Sequence, residues 1–210
     1  MKNKKKFFLE SEADNYYKRN KGKAPPNDAL FNEIIRNVKR YKERKKIKIL
    51  EIGCSDGERL SLIKQKYKCN CYGLEPSVLA IKNRIDKSIK IKMGTADKID
   101  YPKNYFDIIV YGFCLYLVDI KDLVNVFIEA DRITKKNGLI IVKDFYSKTS
   151  ILNQYKHFKK FKVHKYDFSK IFTWNPNYKL IHKIVYPYED YRFKKDRLSI
   201  HTIKKIIKNS

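Results

Sequence analysis

The feature that most constrains the fold is a short apolar run that ends in a glycine-containing turn, KILEIGCSDGERL at residues 48–60. Such a run, followed by helical periodicity, is typical of a buried parallel strand that turns directly into a helix. Gly53 and Gly57 carry no Cβ atom, so another molecule can approach the backbone closely. The helix start presents free N–H groups to an anionic group. The sequence therefore predicts a ligand site at this turn.

A second acidic position follows the next apolar run, where Glu75 ends the segment YGLEP. An acid at the end of a second parallel strand is well placed to accept hydrogen bonds from the two hydroxyls of a ribose. The dinucleotide fingerprint G-x-G-x-x-G fails here, since Ser55 and Glu58 occupy its second and third glycine positions. The pattern present instead is Glu51-x-Gly53-x-Ser55-x-Gly57, an acid two residues before the turn.

This pattern resembles the first motif of the class I S-adenosylmethionine (SAM) dependent methyltransferases, with Ser55 in place of the usual middle glycine. The resemblance covers about residues 27–145 and extends to the rest of the chain by topology alone. It implies an α/β fold: a Rossmann-like, doubly wound, seven-stranded sheet, mostly parallel, with a C-terminal antiparallel strand pair. It also implies SAM as cofactor, S-adenosyl-L-homocysteine (SAH) as product, and no metal.

The resemblance carries cofactor roles onto particular residues. The turn would surround the methionine portion, Glu51 would steady the turn and reach the cofactor's amino group, Glu75 would bind the ribose and Asp97 the adenine. Aromatic rings after the fourth parallel strand could face the sulfonium. The predicted cofactor-binding set is Glu51, Gly53, Cys54, Ser55, Gly57, Glu75, Pro76, Ala96, Asp97, Tyr111 and Phe113. A helix cap is an equally good interpretation of Asp97, and Phe113 and Tyr116 fit a core or a pocket wall as well.

The chain divides into four parts of one domain spanning residues 1–210. Residues 1–26 form an N-terminal arm, interpreted either as a packing arm or as a lid with Tyr17 and Asn20 near the cofactor. Residues 27–146 form the cofactor-binding core, and residues 177–210 form the antiparallel strand pair. Residues 147–176 form an insert rich in aromatic residues and histidine, which we predict to be the acceptor pocket.

The periodicity predicts the following elements. Helices are expected at 11–18 with Ser11 as its start, from residue 27 with Asn27 or Asp28 as cap, after the glycine turn to about 67, from Pro76, and from a cap at Asp119 to a stop at 135–138. Strands are expected at 47–52, 69–74, 89–93 (an edge), 105–111, 139–142, 179–186 and 197–203. Asp107 is expected to anchor nearby backbone.

Methyl transfer from a sulfonium is an in-line displacement, so the protein must chiefly align the acceptor and exclude water. A hydroxyl or amine acceptor needs a base, and the candidate bases are His157 in the insert and Asp144. A surface histidine is the alternative interpretation of His157. The predicted substrate-binding residues are Tyr17, Tyr116, Tyr155 and Tyr166. An anionic acceptor would need no base, and the lysines of the insert could hold it.

The net charge of +25 could hold a polyanion such as RNA through counterion release. The lysines are spread along the whole chain, however, and no recognised RNA-binding motif is present. Phe113-Cys114-Leu115-Tyr116 replaces the N/D-P-P-Y/F signature of many amino-group methyltransferases, which favours a small acceptor. We therefore expect a small-molecule methyltransferase. The alternatives are an RNA-modifying methyltransferase and a non-catalytic SAM-binding protein.

The remaining composition indicates a cytoplasmic protein. No run reaches the roughly 18 apolar residues of a membrane span, and the basic N-terminus lacks the apolar core of a secretory signal. Cys54, Cys69, Cys71 and Cys114 show no metal-ligand spacing, so free thiols in a reducing compartment are expected. Cys69 and Cys71 should share one face of a strand and pack in the core.

Overall fold

The first strand, β1 (Lys48–Ile52), is an inner strand of a seven-stranded sheet in a computed structural model that describes residues 4–23, 26–188 and 196–206. The other strands of this sheet are β2 (Asn70–Glu75), β3 (Lys90–Met93), β4 (Phe106–Gly112), β5 (Thr134–Tyr146), β8 (Tyr178–Pro187) and β9 (Arg197–Lys205). Their order is β3-β2-β1-β4-β5-β9-β8. The first five pair in parallel, whereas β9 pairs antiparallel with both β5 and β8. The predicted sheet and its edge strand are confirmed.

Helices cover both faces of the sheet because consecutive strand residues point to opposite sides. The helices are α3 (Ala29–Val38), α4 (Glu58–Tyr67), α5 (Val78–Lys82), α6 (Leu123–Ile133) and α7 (Lys170–Thr173). Ile49 packs with α3 and α4, whereas Leu50 and Ile52 pack with α6 and α7. Cys69 and Cys71 are both buried in the first of these layers, as predicted. No helix within the described ranges is long and apolar enough to cross a membrane.

The N-terminal arm is helical over a longer stretch than predicted. Helix α1 (Lys4–Phe7) continues through a π-helical turn (Phe8–Glu12) into α2 (Ala13–Asn20). Ser11 does not start this helix, because its hydroxyl donates to the carbonyl of Phe7 one turn earlier.

Asp28 caps α3 by accepting from Phe31 N–H, which confirms one of the two predicted caps. Two other helix starts differ from the prediction. Ser77 rather than Pro76 caps α5 by accepting from Ala80 N–H. Asp119 makes no side-chain cap, because a 3-10 turn at Ile120–Asp122 precedes α6.

Helix α6 ends earlier than its glycine stop suggested. It closes at Ile133, and Thr134 already pairs with Phe106 on the neighbouring strand. The register shifts before Ile108 pairs with Leu139, so residues 135–138 form an irregularity within β5 rather than a helix C-terminus. Asp107 lies beside this irregularity. It accepts from Lys48 N–H at 2.9 Å and pairs with Lys135, which confirms its predicted anchoring role.

The insert forms a small hairpin of its own, β6 (Ile151–Gln154) and β7 (Lys162–Lys165), followed by α7. It packs on the arm, since the ring of Phe7 contacts Phe158 and Phe161 at centroid distances of 4.3 and 5.1 Å. Tyr155 donates to buried Glu12 on the arm at 2.6 Å. The insert therefore supports the arm from outside.

Candidate functional site

A cavity of about 970 Å³ lies where the carboxyl ends of β1, β2 and β4 meet. Open parallel sheets bind ligands at this edge, because the loops after the strands diverge there. The core contributes the glycine turn and the loops after β2, β3 and β4, and the arm forms the opposite wall. The lining residues of the arm include Lys4, Lys5, Phe8, Leu9, Ala13, Tyr16, Tyr17 and Asn20.

The glycine turn has a left-handed backbone at three alternate positions. Gly53, Ser55 and Gly57 have φ values of 73°, 54° and 78°. Space is also limiting at Gly53, where a Cβ atom would lie 3.0 Å from the Cβ of Cys114. Ser55 adopts a conformation that L residues rarely favour, and its N–H donates to Glu75 at 2.9 Å. Ser55, which replaces the usual middle glycine of the motif, is therefore held in this conformation by a hydrogen bond to Glu75.

Glu75 lies at the end of β2 with its carboxylate at the cavity wall. One oxygen accepts from Ser55 N–H and the other from Ser77 N–H, both at 2.9 Å. Burial raises the pKa of Glu75 to about 7, although both backbone bonds favour the ionised form. Each carboxylate oxygen has more than one lone-pair site, so Glu75 can still accept a hydrogen bond from a ligand hydroxyl.

Glu51 lies one layer behind the cavity wall. Its side chain is fully buried, and one oxygen accepts from Arg59 on α4. A Cβ atom on Gly112 would sit 2.7 Å from this oxygen, so Gly112 keeps the space beside the carboxylate open. The other oxygen of Glu51 has no hydrogen-bond partner among the described residues. A buried carboxylate oxygen without a partner suits a cationic group of a ligand.

Asp97 and Ala96 line the cavity after β3. Asp97 pairs with Lys5 of the arm at 2.5 Å. Burial opposes its ionisation, but the bond and charge of Lys5 hold the pKa of Asp97 below its usual value. The residue is therefore an ionised acceptor at the predicted adenine position, already engaged by the arm.

Two further bonds join the arm to the loops of the cavity. Tyr17 donates to Asp56 in the glycine turn at 3.1 Å. Asp14 accepts from the Ser77 hydroxyl at 2.6 Å and from Leu79 N–H at 3.0 Å. With Lys5, the arm thus holds one residue or more in each loop that follows β1, β2 and β3. These contacts place the described part of the arm, residues 4–23, at the cavity, where Tyr17 and Asn20 line it.

Most predicted cofactor residues meet at the cavity. Its lining includes Gly53, Cys54, Ser55, Glu75, Pro76, Ala96, Asp97 and Phe113, together with Tyr17 from the substrate set. Gly57 lies in the same turn beside Ile91, and Glu51 lies behind the wall.

Tyr111 is placed elsewhere. It is fully buried, with its ring 5.8 Å from that of Phe172, because strand alternation turns it into the core. We therefore correct its assignment from cofactor contact to core residue.

Neither candidate base lies at the cavity. Asp144 is buried and accepts from the N–H groups of Leu115, Tyr116 and Phe145, so its carboxylate holds the loop after β4. Burial raises its pKa to about 7. His157 is exposed on the insert, with its ring 5.5 Å from that of Tyr155. Both assignments are corrected on grounds of position.

The insert, which we predicted to be the acceptor pocket, lies outside this cavity. The described residues that line the cavity include none from 147–176. Tyr155 bonds Glu12 and Tyr166 packs edge-on against Phe168. Tyr116 is buried behind the wall, and its hydroxyl lies 3.4 Å from that of Tyr16.

The sequence reasoning missed the arm residues that form the wall and a group of charges beneath the turn. The arm residues are Lys5, Phe8 and Tyr16, and the charges are Asp28, Arg59 and Lys143. Aromatic residues among the charges of the arm were the available signal for the wall. No local signal joins residues 28, 59 and 143.

Comparison with known proteins identifies a domain family in the central part of the chain. Residues 50–142 match a family described as a methyltransferase domain. No curated protein sequence matches the chain.

Solved structures show the same fold at low sequence identity. One is a chain of the complex between the Haloferax volcanii Trm112 methyltransferase activator and a methyltransferase, with a TM-score of 0.71, 13% identity, and coverage of 96% of this chain and 99% of that one. A SAM-dependent methyltransferase of Methanosarcina mazei gives 0.64 and 17%, covering 83% and 98%. One from Mesorhizobium loti gives 0.65 and 12%, covering 86% and 100%. Residues 50–142 thus match a methyltransferase domain, and the seven-stranded sheet has the Rossmann-like fold of SAM-dependent methyltransferases.

Proposed function

We propose that this protein transfers a methyl group from SAM to a small-molecule acceptor held beneath the N-terminal arm. The observation that carries the proposal is the shared cavity, in which the glycine turn, Glu75 and the aromatic residues of the arm line one space of about 970 Å³. Small-ligand pockets typically measure about 300–1,000 Å³. The volume therefore suits a cofactor together with a small acceptor.

The residues at the cavity fit the cofactor. The left-handed turn at Gly53, Ser55 and Gly57 leaves room for the methionine portion, and Glu51 supplies an unpartnered oxygen for its ammonium group. Glu75 would accept from the ribose hydroxyls and Asp97 from the adenine amino group. Because Lys5 already pairs with Asp97, we expect the adenine to share or displace that amine.

When bound, SAM would supply a methyl group on a sulfonium. The acceptor would attack the methyl carbon in line, and the sulfur would leave as part of SAH. The task of the chain is to orient the acceptor and to keep water away. The arm serves both needs, since its bonds to Asp56, Ser77 and Asp97 close the cavity over the cofactor loops.

We propose that the acceptor, a hydroxyl or an amine, lies against the aromatic part of the wall. Phe113, Tyr16, Tyr186 and Tyr188 line this part of the cavity. We propose that the base for such an acceptor is one of the two lining carboxylates that follow β4, Asp119 or Asp122, rather than Asp144 or His157.

Titration calorimetry with SAM and SAH tests the cofactor site, with NAD as a negative control. We expect both SAM compounds to bind and Glu75→Ala to lose at least tenfold in affinity. Glu129→Ala is the matched control, because Glu129 also accepts a backbone N–H, that of Ile99 at 2.7 Å, and does not line this cavity. A folded wild-type protein that binds neither compound would refute the proposal.

The acceptor class is tested by transfer of labelled methyl groups to separated small-molecule and RNA fractions of a cell extract. An RNA-modifying enzyme is the second candidate, because exposed lysines of the insert, Lys156, Lys159 and Lys160, flank Phe158, whose ring packs on Phe7 of the arm. Label in RNA, with binding that weakens steeply as salt rises, would favour it. Cofactor binding without transfer to either fraction would favour a non-catalytic SAM-binding protein.

A further inference from the structure

Four charged side chains alternate in sign beneath the glycine turn. Glu51 on β1 pairs with Arg59 on α4, whose guanidinium also lies 3.4 Å from Asp28 at the start of α3. Asp28 pairs in turn with Lys143 on β5. The four side chains come from four different elements, and each is at most 18% exposed. We call this group the charge chain.

The charge chain ends at Glu51, where one carboxylate oxygen is unpaired within the described part of the chain. The three ion pairs each join opposite charges. The second oxygen of Glu51, however, has no partner among the described residues. Removing a carboxylate from water without full compensation is costly, so such groups usually have a partner in the functional state. Gly112, which lines the cavity, keeps the space beside this carboxylate open, since a Cβ atom there would lie 2.7 Å from the oxygen that Arg59 bonds.

The position of Arg59 determines how Glu51 is oriented. Because Arg59 Nη1 takes one oxygen of Glu51, the carboxylate is fixed with the other oxygen left over. Burial raises the pKa of Glu51, and the charge of Arg59 is the largest influence opposing that rise. Asp28 and Lys143 extend the compensation, so Arg59 is not left as a lone buried cation.

We propose that Arg59 is a cofactor-positioning residue, which holds Glu51 with one oxygen engaged and the other available to the α-ammonium group of the cofactor. This inference rests on the proposed function. It adds that recognition of the amino-acid end depends on Arg59, which lines the cavity and acts on the ammonium group through Glu51. Asp28 and Lys143 keep Arg59 in place.

The charges that face Glu51 come from every neighbouring element. Arg59 and Lys143 favour its ionised form, whereas Asp28 and Glu75 oppose it. Without Arg59, the pKa of Glu51 rises further, and a protonated carboxyl cannot form an ionic bond with an ammonium group. Loss of Arg59 therefore makes recognition of the amino-acid end dependent on pH.

A pair of ligands isolates this effect. SAH carries the amino-acid end, whereas 5′-deoxy-5′-methylthioadenosine has the same nucleoside without it. Glu75 contacts the part common to both, so its own titration changes both affinities alike. The ratio of the two affinities, measured by calorimetry between pH 6 and pH 8, reports on Glu51 and Arg59 alone.

We expect Arg59→Met to weaken SAH binding roughly ten- to hundredfold, the range for one hydrogen bond between charged groups. Binding of methylthioadenosine should change less than threefold, and the affinity ratio should fall as the pH is lowered. Arg36→Met is the matched control, since Arg36 pairs with buried Glu33 on α3 and does not line the cavity. It should leave the ratio unchanged.

Equal losses for both ligands in Arg59→Met, or an unchanged ratio at every pH, would show a merely structural role and overturn the inference. If Arg59→Met does not fold, Glu51→Gln with Arg59→Met removes both charges together. This double variant should lose the preference for SAH at all pH values, and a retained preference would overturn the inference. Failure of the proposed function looks different, because wild-type protein would then bind neither ligand.

Discussion

The N-terminal arm and the insert both lie near the cavity, yet they relate to it in opposite ways. The arm contributes side chains to the cavity wall and bonds to three loops of the core. The insert contributes none of the described lining residues and packs on the outer side of the arm. The difference teaches that aromatic and histidine content alone does not indicate an acceptor pocket. What matters is which segment reaches the carboxyl edge of the sheet.

The largest expected effect concerns Asp14, which joins the arm to the loop after Glu75. Its pKa is lowered chiefly by the bond from the Ser77 hydroxyl, so it accepts that bond as a carboxylate at neutral pH. We expect Asp14→Ala to weaken SAH binding roughly ten- to hundredfold, because bonds to a charged acceptor that hold the Glu75 loop are lost. Calorimetry measures the change.

Asp86→Ala is the control for this variant. Asp86 accepts from Ser88 N–H at 2.8 Å and from the Ser88 hydroxyl, but it does not line the cavity. If both variants changed SAH affinity equally, the arm would have no special role in closing the site.

The pH dependence of SAH binding is expected to arise in the covered cavity, at Glu75, and not in the exposed insert. The pKa of Glu75 is raised to about 7, and ribose hydroxyls are better bound by the carboxylate than by the neutral acid. Affinity for SAH should therefore rise about tenfold from pH 6 to pH 8, as Glu75 loses its proton. A flat profile in wild-type protein would contradict this assignment.

A smaller effect is expected for Tyr17→Phe, which removes the single bond from the arm to Asp56. Loss of one hydroxyl bond should weaken SAH binding about three- to tenfold. Tyr178→Phe is the matched control, because Tyr178 donates to Asp131 at 2.6 Å and does not line the cavity. Equal changes in SAH affinity would show that both substitutions act by lowering the overall stability of the fold, and thermal unfolding of both variants would detect that loss.

The smallest effect is expected in the insert. His157→Ala should leave the rate of methyl transfer and the affinity for SAH within about twofold of wild type, because His157 is exposed and does not line the cavity. A rate loss of a hundredfold or more, as expected for a missing general base, would return the insert to the active site.

Much of the core was predictable because its signals are local. The apolar run, glycines and helical spacing of residues 48–67 lie in one short stretch, and they placed β1, the turn and α4 within one residue of their observed bounds. Glu75 and Asp97 followed from their positions after successive strands. The end of α6 was not predictable from its glycine, because Thr134 is drawn into pairing with a distant strand.

The sequence by itself determined the succession of strands and helices and the glycine turn, because alternation and glycine placement act between neighbours along the chain. The family resemblance added the predicted cofactor residues, most of which line the cavity. Only the tertiary structure decided what encloses the cavity. The pairing of Lys5 with Asp97, the three backbone bonds that occupy Asp144, and the charge chain of Glu51, Arg59, Asp28 and Lys143 all join residues far apart in sequence. Side chains meet in this way only once the sheet and its helices have packed.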